Sequence, residues 1–168
     1  RTADGMTMVY VLAGAFKIGQ TWSLQDRVHT VELDSFWIDQ TEVTNAQYRR
    51  CVEAGVCQAP TTCNWGEPTY GDASKIEHPV ICVTWQEAND YCRWANARLP
   101  TETEWEYAAR GPDGLVFPWG DRFKGSLLNS CDRSCAWNPT GTGVDDGYPE
   151  TAPVGSYPGG ASWVGALD

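Results

Sequence analysis

The sequence predicts an α+β domain with three short helices, short strands and long irregular loops. Three segments begin with the same helix-start pattern, and several short apolar stretches of strand length precede or separate them. The 17 Gly and 10 Pro lie mostly between these periodic segments. The 9 Trp, 7 Tyr and 4 Phe are many for 168 residues and would anchor such loops. The composition therefore indicates a loop-rich structure pinned by aromatic side chains.

The first part of the chain is predicted to be extended. Residues 8–12 (MVYVL) and 16–18 (FKI) lie on either side of Gly14, which predicts a short hairpin. Residues 28–33 (VHTVEL) alternate weakly between apolar and polar. Residues 35–43 (SFWIDQTEV) predict a further extended segment that runs into the first helix.

Each helix is predicted to begin with a capping box, in which a threonine caps the helix and the side chain three residues later reaches back. The three threonines are Thr44, Thr84 and Thr101. The helices should end near Ala54, Asn96 and Arg110. Gly55 and Gly111 are the predicted caps of the first and third. The residues expected to face the core are Tyr48, Cys51 and Val52, then Ala88, Tyr91, Cys92 and Ala95, then Trp105, Ala108 and Ala109.

Length and charge limit the function. The 168 residues suffice for one domain with a core, and no linker or repeat divides them, so residues 1–168 are assigned to a single domain. A formal net charge of −10 repels phosphate backbones and anionic lipid surfaces, which argues against nucleic acid as a partner. No apolar run approaches the roughly 20 residues of a membrane span.

Seven cysteines indicate an oxidising compartment, hence an extracellular, periplasmic or cell-surface protein. There is no C-x-x-C, so a zinc site is not expected. Cys51, Cys57 and Cys63 are spaced six apart, and a disulfide joining two of them is expected. Cys131 and Cys135 are the next candidate pair. Because seven is odd, either one thiol is free or one cysteine has a partner outside this chain.

Residues 98–111 (RLPTETEWEYAARG) and 117–120 (FPWG) carry a family resemblance. Residues 8–19, 36–48 and 78–94 extend it in the same order. Together these blocks resemble the sulfatase-modifying-factor family, the formylglycine-generating-enzyme type of domain. The resemblance implies a variant of the C-type-lectin-like fold. It also implies that residues 1–168 lack the family's C-terminal part.

The resemblance further implies a structural calcium site. Its ligands would be the Asn129 side chain, the Ser130 carbonyl, the Asp146 carboxylate and the Tyr148 carbonyl. Hard oxygen ligands from loops suit calcium, and Gly147 permits the turn between the last two. The alternative is that residues 145–148 (DDGY) are a tight turn with solvated carboxylates.

Some family members are copper-dependent oxidases that convert a sulfatase cysteine to formylglycine, and others are surface-displayed binding proteins. The reactive cysteines of the oxidases map beyond Asp168, and none of the seven cysteines here aligns with them. We therefore expect no catalytic residue in this chain and a non-catalytic binding or structural module. The expected partner is a protein, a carbohydrate, further copies of the chain, or a separate C-terminal fragment. The alternative is part of an oxidase, in which case copper would be its cofactor.

Overall fold

The computed structural model describes residues 1–19, 28–61, 63, 67–135 and 143–167. Within them lie four strands, three α-helices and three short 3-10 turns, which confirms the predicted irregular α+β fold. The strands are β1 (Met8–Val11), β2 (Gly14–Ile18), β3 (His29–Leu33) and β4 (Phe36–Asp39). The helices are α1 (Asn45–Glu53), α2 (Trp85–Trp94) and α3 (Glu102–Arg110). None of the described helices is long and apolar enough to cross a bilayer.

The four strands form two separate two-stranded antiparallel sheets. Strand β1 pairs with β4, and β2 pairs with β3, so one pairing is nested inside the other. The predicted hairpin between β1 and β2 is therefore wrong. Val11 ends β1 and Phe16 lies in β2, and both are buried in the same cluster around Tyr107. Residues of β3 and β4 pack on the same cluster, so all four strands contribute to it, and apolar spacing alone does not identify a strand's partner.

The three predicted capping boxes are all present. In each helix the threonine hydroxyl accepts a hydrogen bond from the third backbone amide, at 3.1–3.2 Å. The side chain of that third residue accepts from the threonine amide in return, at 2.7–2.9 Å. Helix α3 ends at Gly111, whose φ of 70° favours glycine. A Cβ there would lie 3.0 Å from the Trp163 ring, so a larger residue would also require that ring to shift.

Two apolar clusters form the core. The first lies between α1 and α2 and contains Tyr48, Cys51, Cys57, Tyr91 and Ala95. The second lies between the sheets and α3 and contains Val11, Phe16, Tyr107 and Ala108. The expectation that Trp105 faces the core is wrong, because its side chain is 62% exposed while Tyr107 is 3% exposed.

A buried polar network joins the start of the chain to β4 and α2. The Arg1 guanidinium donates to Asp4 Oδ2 at 2.5 Å and to Asp39 Oδ1 at 2.7 Å. The Tyr91 hydroxyl donates to Asp4 Oδ2 at 2.6 Å. Burial and this hydrogen bond to Asp4 raise the pKa of Tyr91 well above its usual range. Burial alone would raise the pKa of Asp4, but the hydrogen bonds from Arg1 and Tyr91 lower it below its ordinary value.

Six of the seven cysteines are paired. Cys51 is bonded to Cys57, Cys63 to Cys82, and Cys131 to Cys135. The remaining cysteine, Cys92, is a half-buried thiol in α2. The Cys51–Cys57 bond closes the turn directly after α1, where Gly55 has a φ of 73°.

The disulfide pattern predicts the result of a thiol count. Denatured but unreduced protein should react with a thiol reagent at one site per chain, because six of the seven cysteines are in disulfides and Cys92 is not. Peptide mapping of the labelled protein should place the label on Cys92. Seven reactive thiols would contradict the disulfides and the oxidising compartment that they indicate.

The ion pair at the start of α3 predicts a loss of stability in acid. Arg98 donates to both oxygens of Glu104 at 2.6 Å, and this lowers the Glu104 pKa from 4.5 to about 2. A carboxyl with a lowered folded-state pKa stabilises the fold above its unfolded pKa, and that contribution is lost as the pH falls. The free energy of unfolding should therefore fall between pH 4.5 and about 2.

Chemical denaturation at several pH values, on the parent and on Glu104→Gln, measures this effect. The glutamine keeps a capping side chain but does not titrate, so the fall over this pH range should be smaller in the variant. Glu102→Gln, an exposed change in the same helical turn, is the control and should behave like the parent. An unchanged pH profile in Glu104→Gln would contradict the assignment.

Candidate functional site

The four predicted calcium-ligand residues lie together in the structure. The Asn129 amide nitrogen donates to Asp146 Oδ2 at 3.1 Å, and the Ser130 backbone amide donates to the same oxygen at 2.8 Å. The Tyr148 backbone amide donates to Asp146 Oδ1 at 2.8 Å. Asn129 and Ser130 thus contact the D-D-G-Y turn at the Asp146 carboxylate, although they lie 17 and 16 positions before it in the sequence.

Asp146 is the centre of this arrangement. Both of its carboxylate oxygens accept hydrogen bonds, and its backbone carbonyl accepts one from the Tyr157 hydroxyl at 3.1 Å. Gly147, with a φ of 93°, allows the chain to turn so that the amide of Tyr148 faces the Asp146 side chain. The turn and the Asp146 carboxylate are therefore parts of one folded unit, while the adjacent Asp145 is exposed.

Asp132 is a further member of this unit, and the sequence analysis missed it. Its side chain is almost fully buried, with 1% of the residue exposed. Asp132 Oδ1 accepts from the Ser134 amide at 2.7 Å and from the Ser134 hydroxyl at 2.8 Å. Asp132 Oδ2 accepts from the Asp146 amide at 2.5 Å. Asp132 therefore connects two segments of the loop, residues 131–135 and residues 143–148.

Hydrogen bonds keep Asp132 ionised. Burial raises the pKa of this carboxyl, but the amides of Ser134 and Asp146 and the Ser134 hydroxyl together lower it below its ordinary value. The sequence carries a signal for the local part of this arrangement, because an aspartate followed two residues later by serine is typical of a turn closed by the carboxylate. It carries none for the bond to Asp146, which lies 14 residues away.

The charge of the loop favours a cation. Within residues 129–135 and 143–148 there are three carboxylates, Asp132, Asp145 and Asp146, and one cation, Arg133. Arg133 donates to the exposed Asp145 at 2.7 Å, and its charge also acts on the buried Asp132, so one arginine is set against three carboxylates. Neighbouring carboxylates repel each other, and a bound cation would relieve that repulsion.

The cysteines do not form a thiolate centre. All seven lie in described parts of the chain, and six are in disulfides. Burial raises the pKa of the remaining thiol, Cys92, which disfavours its reactive thiolate form. Nor do the described residues contain a group of three or more His, Cys, Asp or Glu side chains placed to hold a metal ion.

Several large aromatic side chains lie on the surface. Tyr10 of β1 is directly opposite Trp37 of β4, their ring centroids are 5.0 Å apart, and they are 46% and 60% exposed. Trp85 and Trp105, near the starts of α2 and α3, are also exposed. Tyr10 and Trp37 together form an aromatic pair on one face of the β1–β4 sheet.

Comparison with known proteins shows relatives along most of the chain. A formylglycine-generating enzyme of Streptomyces coelicolor is 34% identical over 187 aligned residues, which cover 88% of this chain and 59% of that enzyme. The mouse formylglycine-generating enzyme is 30% identical, over 90% of this chain and 52% of its own length. An inactive Cα-formylglycine-generating enzyme 2 of Bos taurus is 41% identical over 54% of this chain and 30% of its own. The chain thus spans 52–59% of the length of the Streptomyces and mouse enzymes.

Two solved structures share the fold. The crystal structure of CarF superposes with a TM-score of 0.63 at 22% identity and covers 97% of this chain. Treponema denticola variable protein 1 superposes with a TM-score of 0.60 at 20% identity and covers 96%. The family described as the sulfatase-modifying factor enzyme 1-like domain matches residues 1–168. The chain, with its capped helices and its loop around Asp146, therefore belongs to the sulfatase-modifying-factor family.

Proposed function

We propose that this chain is a non-catalytic binding or structural module on a formylglycine-generating-enzyme-type fold, acting outside the cytosol. The observation that carries the proposal is the state of the cysteines. Oxidase chemistry with copper needs paired, accessible thiolates, whereas here six cysteines are in disulfides and Cys92 is half-buried with a raised pKa. Three disulfides also support an extracellular, periplasmic or cell-surface location.

The loop around Asp146 would bind calcium. Asn129, Ser130, Asp146 and Tyr148 carry hard oxygen atoms of the kind that calcium prefers, and N–H groups of the other three lie within hydrogen-bond distance of the Asp146 carboxylate. Asn129 donates its amide nitrogen to Asp146, and turning that amide by half a turn presents its oxygen instead, since the two ends have nearly the same shape. This set of donor residues would suit calcium, whose role here would be to stabilise the loop.

The partner would be a protein or carbohydrate, or further copies of the chain. Exposed paired aromatic rings such as Tyr10 and Trp37 offer a large contact area with little loss of side-chain entropy on binding. Neither ring belongs to the two buried clusters, so binding at this pair would not disturb the core.

The alternative is that the chain is part of a copper-dependent oxidase that acts on a sulfatase cysteine. Its support is the similarity to proteins named formylglycine-generating enzymes, which covers most of this chain. The similarity to an inactive member supports the binding module equally. In the oxidase alternative, the catalytic cysteines would be supplied by residues outside 1–168.

Loss of the Asp146 carboxylate should abolish most calcium binding. Asp146→Ala is expected to raise the calcium dissociation constant by more than about tenfold. Even changes to residues that only support metal ligands typically lower metal affinity by about 10–100-fold. Titration calorimetry on the parent and the variant measures this. Limited proteolysis should also cut the variant between residues 129 and 148 in the presence of calcium, where the parent is protected.

Asp145→Ala is the matched control. It removes the adjacent carboxylate, which is exposed and paired with Arg133, but leaves the proposed ligands in place. Its calcium affinity should lie close to that of the parent. If the parent shows no heat of binding at millimolar calcium, the turn alternative is correct and the calcium site must be abandoned.

The chain by itself is expected to lack oxidase activity. Purified residues 1–168, incubated with copper, oxygen and a peptide containing C-x-P-x-R, should leave the peptide cysteine unmodified, because no pair of thiolates is available to react. Mass spectrometry of the peptide is the measurement. An aldehyde at that cysteine would demonstrate a catalytic site within the chain and would refute the binding-module proposal.

A further inference from the structure

The Cys131–Cys135 disulfide encloses the residues that organise the proposed calcium loop. It joins two positions only four apart, and Asp132 and Ser134 lie between them. Asp132 reaches out of this small ring to the amide of Asp146, and the Ser134 hydroxyl donates to the Tyr148 carbonyl at 3.3 Å. Both cross-loop contacts therefore begin inside the ring and end at proposed ligand residues.

Hydrogen bonds also connect the ring to the far side of the loop. Besides the contacts of Asp132 and Ser134, the Arg133 amide donates to the Val144 carbonyl at 3.4 Å, and the Arg133 guanidinium donates to Asp145 at 2.7 Å. No helix or strand includes residues 131–135. The disulfide adds a covalent restraint to these contacts, because it limits the backbone torsions of an irregular segment, and fixing those torsions otherwise costs entropy.

The effect of this disulfide is local. Cross-links stabilise a fold in proportion to the logarithm of the loop that they close, so a four-residue separation contributes the least of the three disulfides. One of its two cysteines is accessible, because Cys131 is exposed while Cys135 is buried. In the other two disulfides, Cys51 and Cys57 are both buried and Cys63 and Cys82 are half-buried. A reductant should therefore react first at Cys131, the most exposed of the paired cysteines.

We propose that the Cys131–Cys135 disulfide and Asp132 together position the calcium loop, so that reducing this one disulfide lowers its cation affinity. The inference rests on the calcium site proposed above and adds its regulation. In the reaction, a small dithiol attacks Cys131 Sγ and the Cys131–Cys135 bond breaks. The dithiol closes to its own disulfide, and its two electrons and two protons pass to the cysteines, which become thiols.

Mild treatment of the native chain with dithiothreitol tests the proposal. The freed thiols are alkylated and mapped by mass spectrometry, and calcium binding is measured by calorimetry before and after treatment. Cys131 and Cys135 should be alkylated before the other paired cysteines, and the calcium dissociation constant should rise by about tenfold or more. The midpoint of thermal unfolding in chelator should stay close to that of the untreated chain, because the bond closes so short a loop.

Variants separate the roles of the two components. The double change Cys131→Ser with Cys135→Ser should bind calcium as weakly as the reduced chain and should no longer respond to dithiol. Asp132→Asn keeps the disulfide but removes an acceptor, and it should weaken calcium binding by about tenfold with little change in the melting midpoint measured in chelator. Cys92→Ser is the control, and it should retain both affinity and redox response.

The outcomes distinguish the two proposals. Equal calcium affinity of the oxidised and reduced chains would overturn the redox inference and leave the calcium site intact. Absence of calcium binding in both forms would refute the calcium site, and the redox inference with it. If the double cysteine variant does not fold, the comparison of oxidised and alkylated parent chain still decides between these results.

Discussion

The buried carboxylate of Asp4 connects the two halves of the core. It accepts from Arg1, which also binds Asp39 at the end of β4, and from Tyr91 in the middle of α2. Tyr91 belongs to the cluster between the helices, while β4 contributes to the cluster around Tyr107. A charge buried this deeply is tolerated only with its partners present, and losing one typically costs about 3–5 kcal/mol. The relative placement of helices and sheets therefore depends on this one carboxylate and its donors.

Local signals in the sequence specify the helices well, whereas strand pairing is not a local property. A capping box is complete within four residues, so the three helix starts were predictable without knowing the fold. Strands β1 and β2 have the spacing of a hairpin, but each pairs with a later strand. The four strands share one cluster around Tyr107, and this shared packing is visible only once the chain is folded.

The prediction that Trp105 faces the core is wrong for a related reason. Helix α3 buries Glu104, Tyr107 and Ala108, and the buried Gly111 continues the same face at the helical spacing. Hydrophobicity alone favours Trp105 over Glu104 as a core residue. Glu104 takes the buried position because it caps the helix and forms an ion pair with Arg98, so its charge is compensated. At the candidate site, similarly, the four proposed ligands could be identified by resemblance, but Asp132 required the structure, because its partner lies 14 residues away.

Among the described residues, the fully buried aromatic side chains are three tyrosines and one phenylalanine, while three tryptophans are at least 60% exposed. Light absorbed at the red edge of the protein spectrum therefore excites indoles of two kinds. Trp37, Trp85 and Trp105 face water, whereas Trp94 and Trp163 contact the core tyrosines Tyr91 and Tyr107. A ligand resting on Trp37 would alter the emission of the first kind, and a change in core packing would alter that of the second, so one fluorescence spectrum would carry signals from both the surface and the interior.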